Sequence, residues 1–160
     1  MISKRVIVGL IIEQLTEQLT TLAGASRAMH ADASDEQNKP EDKYDTRGLE
    51  ASYLARGQSR QAMETQAALA AFEKLEPRKF EAGDPIELGA LVELEHKNER
   101  TLYFLGPKAG GTEVTHEGRE ILVITAQSPL GEQLLGKKQG DRLQLTLAGA
   151  RDQYRVIRVQ

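Results

Sequence analysis

Two proline-free stretches of helical periodicity, joined by a short acidic link, constrain this chain more than any other feature. From Ile2 to about Ala31, the residues Ile7, Leu10, Ile11, Leu15, Leu19, Leu22 and Met29 recur mostly at three- and four-residue steps. Glu13, Gln14, Glu17 and Gln18 fill the positions between them, which is the pattern of an amphipathic helix. A second series, Leu49, Tyr53, Ala55, Ala62, Leu69, Phe72 and Leu75, runs over residues 46–75 until Pro77 stops it. Gly57 weakens this helix by ~1 kcal/mol relative to alanine without ending it. Helices of about 30 residues are ~45 Å long at 1.5 Å rise, and residues 76–160 cannot bury both stripes. The stripes must bury each other. A short link makes the two helices antiparallel neighbours, so an N-terminal hairpin over residues 1–76 is expected.

The link carries the chain's charge asymmetry. Residues 32–45, "DASDEQNKPEDKYD", hold Asp32, Asp35, Glu36, Glu41, Asp42 and Asp45 against Lys39 and Lys43, a net of -4 in a chain whose total is -3. An acid-rich link is often no more than a solvated connection. At the tip of a hairpin it is also a cluster of carboxylates held out on an arm.

After Pro77 the period changes from helical to alternating. "ALVELEH" (90–96), "TLYFLG" (101–106), "EILVITAQ" (120–127), "LQLTL" (143–147) and "QYRVIRV" (153–159) read as strands, separated by turn signals such as "GPKAGG" and "QGD". Residues 77–160 are therefore expected to form an antiparallel β domain. Between the third and fourth runs lies "SPLGEQLLG" (128–136). Ser128 suits an N-cap, Pro129 the first helical position, and Gly136 the left-handed residue beyond the end. A short helix follows, expected to lay Leu130, Leu134 and Leu135 on one face of the sheet.

Several functions drop out on composition. The chain has no cysteine, which removes disulfides, thiol nucleophiles and thiolate zinc sites and fits a reducing compartment. Glu13 and Glu17 interrupt the apolar run that follows Lys4 and Arg5, so no secretory leader is expected. No segment approaches the ~20 apolar residues of a membrane span. His30, His96 and His116 lack zinc spacing. "GPKAGGTE" lacks the Gly-Lys-Ser/Thr ending of a phosphate loop and reads as a hairpin connection.

A helical hairpin followed by a β domain containing "TAQSPLGEQLLGKKQGDRL" resembles the Gre family of bacterial transcript cleavage factors, the GreA/GreB-like proteins. Their C-terminal domains carry a similar Ser-Pro-Leu-Gly, Leu-Leu-Gly-Lys-Lys and Gly-Asp pattern. The likeness extends backward through "DPIELGALVELEH" and forward to "YRVIRV". It implies an α+β protein: a coiled-coil hairpin followed by an FKBP-like domain that docks at the rim of the secondary channel of RNA polymerase. Ser128, Pro129, Leu130 and Gly131 would make that contact. It also implies a cytoplasmic accessory factor, not itself an enzyme and expected to be monomeric. Such a factor has no cofactor of its own and acts indirectly on the 3′ end of the nascent RNA. Acidic residues at the coiled-coil tip of the family help hold Mg2+ at the polymerase active site, where the polymerase hydrolyses backtracked RNA.

At the tip the sequence departs from the family. Where the family has a motif similar to Gly-Asp-Leu-Lys-Glu-Asn-Ala-Glu-Tyr, this chain has "DTRGLEASY", aligned through Ala51 and Tyr53. Thr46 stands in place of the aspartate and Leu49 in place of the glutamate. Asp45 and Glu50 lie one residue away, and a one-residue slip on a helix turns a side chain by about 100°. Asp45, Asp42 and Glu41 are therefore the candidate carboxylates, with Asp45 and Asp42 directed toward the polymerase Mg2+ and Glu50 behind them. A homologue that binds the channel without promoting cleavage, as a competitor or regulator, is the alternative. Arg47, Arg56 and Arg60 form a candidate RNA contact, since phosphates need only positioned charge; as solubilising residues paired with acids they need no partner. A peptidyl-prolyl isomerase or chaperone-like module is the alternative of another class. It would need an aromatic-lined cleft, for which the strand runs offer only Tyr103, Phe104 and Tyr154.

Overall fold

The computed structural model describes residues 2–34, 47–147 and 149–160; at 23, 25–34, 47–56, 58 and 147 it describes the backbone alone. Both long helices form where the apolar stripes place them, α1 over Lys4–Ser34 and α2 over Arg47–Glu73. Packing divides the chain into two compact units, one of Glu13–Leu69 and one of Met1–Ile12 with Ala70–Gln160. The helices thus begin and end in the same unit, the connectivity of an antiparallel hairpin. Periodicity marks its change at Pro77, whereas packing takes the first turns of α1 and the last of α2 into the unit that holds the sheet. In the Glu13–Leu69 unit Leu15 and Ala68 are buried, as the stripes require.

The other unit is built on six strands: β1 (Leu91–His96), β2 (Glu99–Leu105), β3 (Glu113–His116), β4 (Arg119–Ile124), β5 (Arg142–Leu147) and β6 (Ala150–Val159). A short helix, α3 (Pro129–Leu134), lies between β4 and β5. The sheet order is β3-β4-β2-β1-β6-β5. Each of the five expected strand runs is present. The sheet is antiparallel throughout except where β2 and β4 run parallel, Leu102 beside Ile121 and Phe104 beside Val123.

That one parallel pair corrects the reading of "GPKAGGTE". β2 and β3 are not neighbours, so the segment is a connection to the sheet edge, and β4 returns to lie between them. β3 was missed as a strand because it is four residues long with a single buried side chain, Val114, too little alternation to detect. The β1–β2 hairpin turns on Lys97 and Asn98, both with positive φ, 50° and 63°, as two-residue loops of that hand require.

Alternation gives the sheet two faces. On one, Val92, Leu94, Leu105, Ile124, Leu143, Val156 and Val159 form a core with Phe80, Ile86 and Leu134 of α3. On the other, Leu91, Leu102, Phe104, Ile121 and Val123 are buried. There the Phe72 ring of α2 lies 6.3 Å from that of Phe104, and Ile7 and Ile11 of α1 are fully buried. Gly106 permits this: a Cβ there would meet the Phe72 ring at 2.7 Å.

Candidate functional site

The segment from Thr125 to Asp141 is organised around Ser128. Its Oγ donates to the Thr125 carbonyl at 2.7 Å and accepts from the Gly131 amide at 3.0 Å. One hydroxyl thus caps α3 and ties the cap to the end of β4. The Ser128 backbone is extended, with φ -71° and ψ 154°, and Pro129 opens the helix, where its missing amide costs nothing. Gly131 is fixed by contact: a Cβ would lie 1.8 Å from the Thr125 oxygen. No other residue type fits without moving the backbone.

The remainder of the segment is held by backbone bonds. The Gly136 amide donates to the Ile86 carbonyl at 3.0 Å and the Ile86 amide to that of Lys137 at 2.8 Å. Gly136, with φ of 82°, reverses the chain after the helix. Asp141 accepts from the Lys138 amide at 2.8 Å, closing the Gly-Asp turn. Most of the Ser-Pro-Leu-Gly and Gly-Lys-Lys pattern therefore has an internal explanation. The side chains it exposes include Pro129, Glu132, Gln133 and Lys138, and Leu130 is half-buried against the core. Leu134 is fully buried as expected, but Leu135 is 43% exposed and does not cover the sheet. The helix ends before it, and its backbone at φ -53° and ψ 125° is no longer helical.

The acidic candidates Asp45, Asp42 and Glu41 lie outside the described residues. Arg47, Glu50 and Arg56 belong to α2, with side chains outside the described set, and Arg60 is exposed on the same helix. Among the described residues no group of three or more His, Cys, Asp or Glu side chains is arranged to hold a metal, and no helix is long and apolar enough to cross a membrane.

Among the described residues the three strand-run aromatics are not gathered into one cleft, as an isomerase would need. Phe104 faces Phe72 on one side of the sheet, whereas Tyr103 and Tyr154 pack on the opposite core. Tyr154 stacks on His96 at 4.5 Å, and burial together with Tyr154 holds the Tyr103 hydroxyl above its ordinary pKa.

A cluster that sequence reasoning missed sits where α1 begins. The Lys4 ammonium donates to the carbonyls of Arg78 and Gly89 and lies 4.4 Å from the Phe80 ring centre. Arg78 stacks on the same ring at 3.9 Å and pairs with Asp84 and Glu87 at 3.3 and 3.1 Å. Burial, reinforced by the Arg78 charge, lowers Lys4 to about 8. The Glu81 amide, followed by Arg78, holds Asp84 below its ordinary value. The only sequence signal is a lysine just ahead of an apolar run. The cluster fastens the start of α1 to the segment that leads into the sheet.

Comparison with known proteins follows the same segment. The sequence profile described as "Transcription elongation factor, GreA/GreB, C-term" matches residues 81–160. Among curated proteins none matches. Of solved structures, the GreA factor homolog 1 (Gfh1) protein of Thermus thermophilus is 24% identical over 96% of this chain and 94% of its own, with a TM-score of 0.39. Thermus aquaticus Gfh1 is 24% identical over 93% of this chain and 90% of its own, at 0.40. A transcription elongation factor GreA/GreB from Nitrosomonas europaea is 22% identical over 69% of this chain and 91% of its own, at 0.37.

Proposed function

The chain belongs to the GreA/GreB family of transcription elongation factors, and on that basis we propose that it binds RNA polymerase at the secondary channel, as an accessory factor, and stimulates cleavage of backtracked RNA by the polymerase itself. The observation that carries this reading is the match over residues 81–160, within which Ser128 and Gly131 hold α3 in one fixed conformation. Pro129 and Leu130 are the side chains of that helix start with surface left for a partner. The four residues Ser128, Pro129, Leu130 and Gly131 then divide their work, the first and last shaping the loop and the middle two touching the polymerase.

The hairpin supplies reach and residues 32–45 supply carboxylates. Magnesium takes oxygen ligands and keeps several of its waters, so Asp45 and Asp42, with Glu41 nearby, are a fitting donor set for the polymerase's Mg2+. When bound, that ion activates water for hydrolysis. In this reading the tip carboxylates hold and orient, and the polymerase performs the chemistry. A second reading rests on one observation, Thr46 and Leu49 at the positions of the family's acids: a factor that occupies the channel and competes with cleavage factors while its own tip stays silent.

The test is RNA cleavage by stalled, backtracked polymerase with magnesium, comparing wild type with Asp45→Asn, Asp42→Asn and Glu41→Gln, each checked for binding. Loss of cleavage in one variant that still binds supports the first reading. A wild type that binds, promotes no cleavage and displaces an authentic factor supports the second. No binding to core polymerase would overturn both. Pro129→Ala combined with Leu130→Ala weakens binding in either reading.

A further inference from the structure

The β5–β6 ribbon has one face in the core and one in solvent. Leu143, Leu145 and Val156 point inward and are buried. The register pairs Arg142 with Arg155, Gln144 with Gln153 and Thr146 with Arg151 on the other face, and pairs Arg158 with Glu93 of β1 on that same side. All seven ribbon residues, Arg142, Gln144, Thr146, Arg151, Gln153, Arg155 and Arg158, are exposed. Every one of them carries a hydrogen-bond donor, four of them are cationic, and there is no acid and no apolar side chain among them.

An ordinary solvated strand face mixes both signs. Here the acids of this side sit on β1 and are already matched, Glu93 by Arg119 at 2.9 Å and Glu95 by Arg155 and Arg100 at 3.1 and 3.4 Å. Arg142, Arg151 and Arg158 have no ion pair among the described residues. Arg142 also stands directly opposite Arg155, a like-charge pair that disfavours the bare surface and that Glu95 offsets through Arg155 alone. Neighbouring strands are about 4.8 Å apart and alternate residues of a strand about 6.6 Å, so the guanidinium groups form a row rather than a point.

We propose that this ribbon face is a contact surface for the phosphodiester backbone of nucleic acid, bound without recognition of base. Guanidinium, amide and hydroxyl groups are the side chains that contact phosphate oxygens. Protein–nucleic acid surfaces are polar and positively charged, whereas protein interfaces place apolar and aromatic residues at their centre, and this strip has neither. The absence of an aromatic ring also removes the platform on which single-stranded bases stack. The arginines of this surface all lie on β5 and β6, in the unit that holds the sheet.

The experiment is fluorescence anisotropy of the full chain with a labelled 20-nucleotide single strand and the corresponding duplex, each of mixed sequence, titrated between 25 and 200 mM KCl. The triple variant Arg142→Gln/Arg151→Gln/Arg158→Gln removes the three arginines that have no internal ion pair, with folding checked by circular dichroism. Lys108→Gln/Lys137→Gln/Lys138→Gln makes the same change of net charge elsewhere. The arginine variant loses affinity for both probes. Its slope of log K against log salt becomes shallower by about 2 for the single strand and about 3 for the duplex, at ~0.7 and ~0.9 per phosphate contact; the lysine variant keeps the wild-type slope. Equal losses in both variants, or no binding by wild type at 25 mM KCl, would overturn the proposal. So would an arginine variant that binds nucleic acid normally but has lost polymerase, which would make an acidic protein surface the partner.

Discussion

The two faces of the sheet are closed in different ways. One is covered from nearby in sequence, by a six-residue helix between β4 and β5 that drops Leu134 into the core. The other is covered from far away, by the first turns of α1 and the last of α2, and only over the half that contains Leu91, Leu102 and Phe104. Beyond that half the same face becomes a lattice of arginine and glutamate. A locally closed face must specify its own geometry through caps and close contacts. A remotely closed one needs only complementary apolar surface, and where the cover stops the strands are free to carry charge.

Substitution can break this contrast or sharpen it. The largest effect is expected at Phe72→Ala, which empties the fully buried side chain over Phe104 and Gly106 and costs about 4 kcal/mol in denaturant unfolding. A cost below about 1 kcal/mol would mean that α2 does not hold the remote face shut. Gly131→Ala comes next, at about 3 kcal/mol, because the methyl group must displace the Thr125 carbonyl rather than a flexible side chain. If it were tolerated at full stability, the fixed geometry assigned to the local closure would be wrong. Ser128→Ala removes one hydroxyl with two partners and is expected to cost about 1 kcal/mol.

Lys4→Met tests, through pH, the cluster that fastens the start of α1. The folded chain releases the Lys4 proton near about 8, whereas the unfolded chain keeps it to 10.5. Between those values the unfolded state holds more protons, so stability rises with pH across that window and falls back below it. The melting temperature of the wild type should therefore gain on that of Lys4→Met as pH rises from 7.5 to 10.5. A constant difference would place Lys4 in water, with no part in seating α1. Arg151→Gln, on the uncovered ribbon, is expected to shift unfolding by less than about 0.5 kcal/mol. A larger loss would show that the arginines serve the fold rather than a partner.

The sequence was most readable where structure depends on neighbours along the chain. The two long helices, the five strand runs and the Ser128-capped helix with its left-handed Gly136 all follow from period and cap chemistry, and all are present among the described residues. What it did not show depends on contacts between residues distant in the chain. β3 has a single buried residue and exists because β4 offers it an edge. The parallel β2–β4 pair depends on where the chain re-enters the sheet. Lys4 meets Phe80, Arg78 and Gly89 only once the chain has folded back on itself. In the segment around Ser128, the pattern did not separate the residues that shape the loop from those left at the surface. Only the 1.8 Å approach to Thr125 shows why Gly131 is glycine.

By itself, then, the sequence determined a helical hairpin with an acid-rich link, a strand-rich second half and a capped helix carrying the Ser-Pro-Leu-Gly pattern, since local backbone preference and hydrophobic period are written residue by residue. Tertiary structure alone decided which strands are neighbours, how far the helix ends cover the sheet, and which arginines share the exposed face of the β5–β6 ribbon. Those outcomes depend on register and on burial between distant segments. A shift of one residue in pairing would have turned the same arginines into the core.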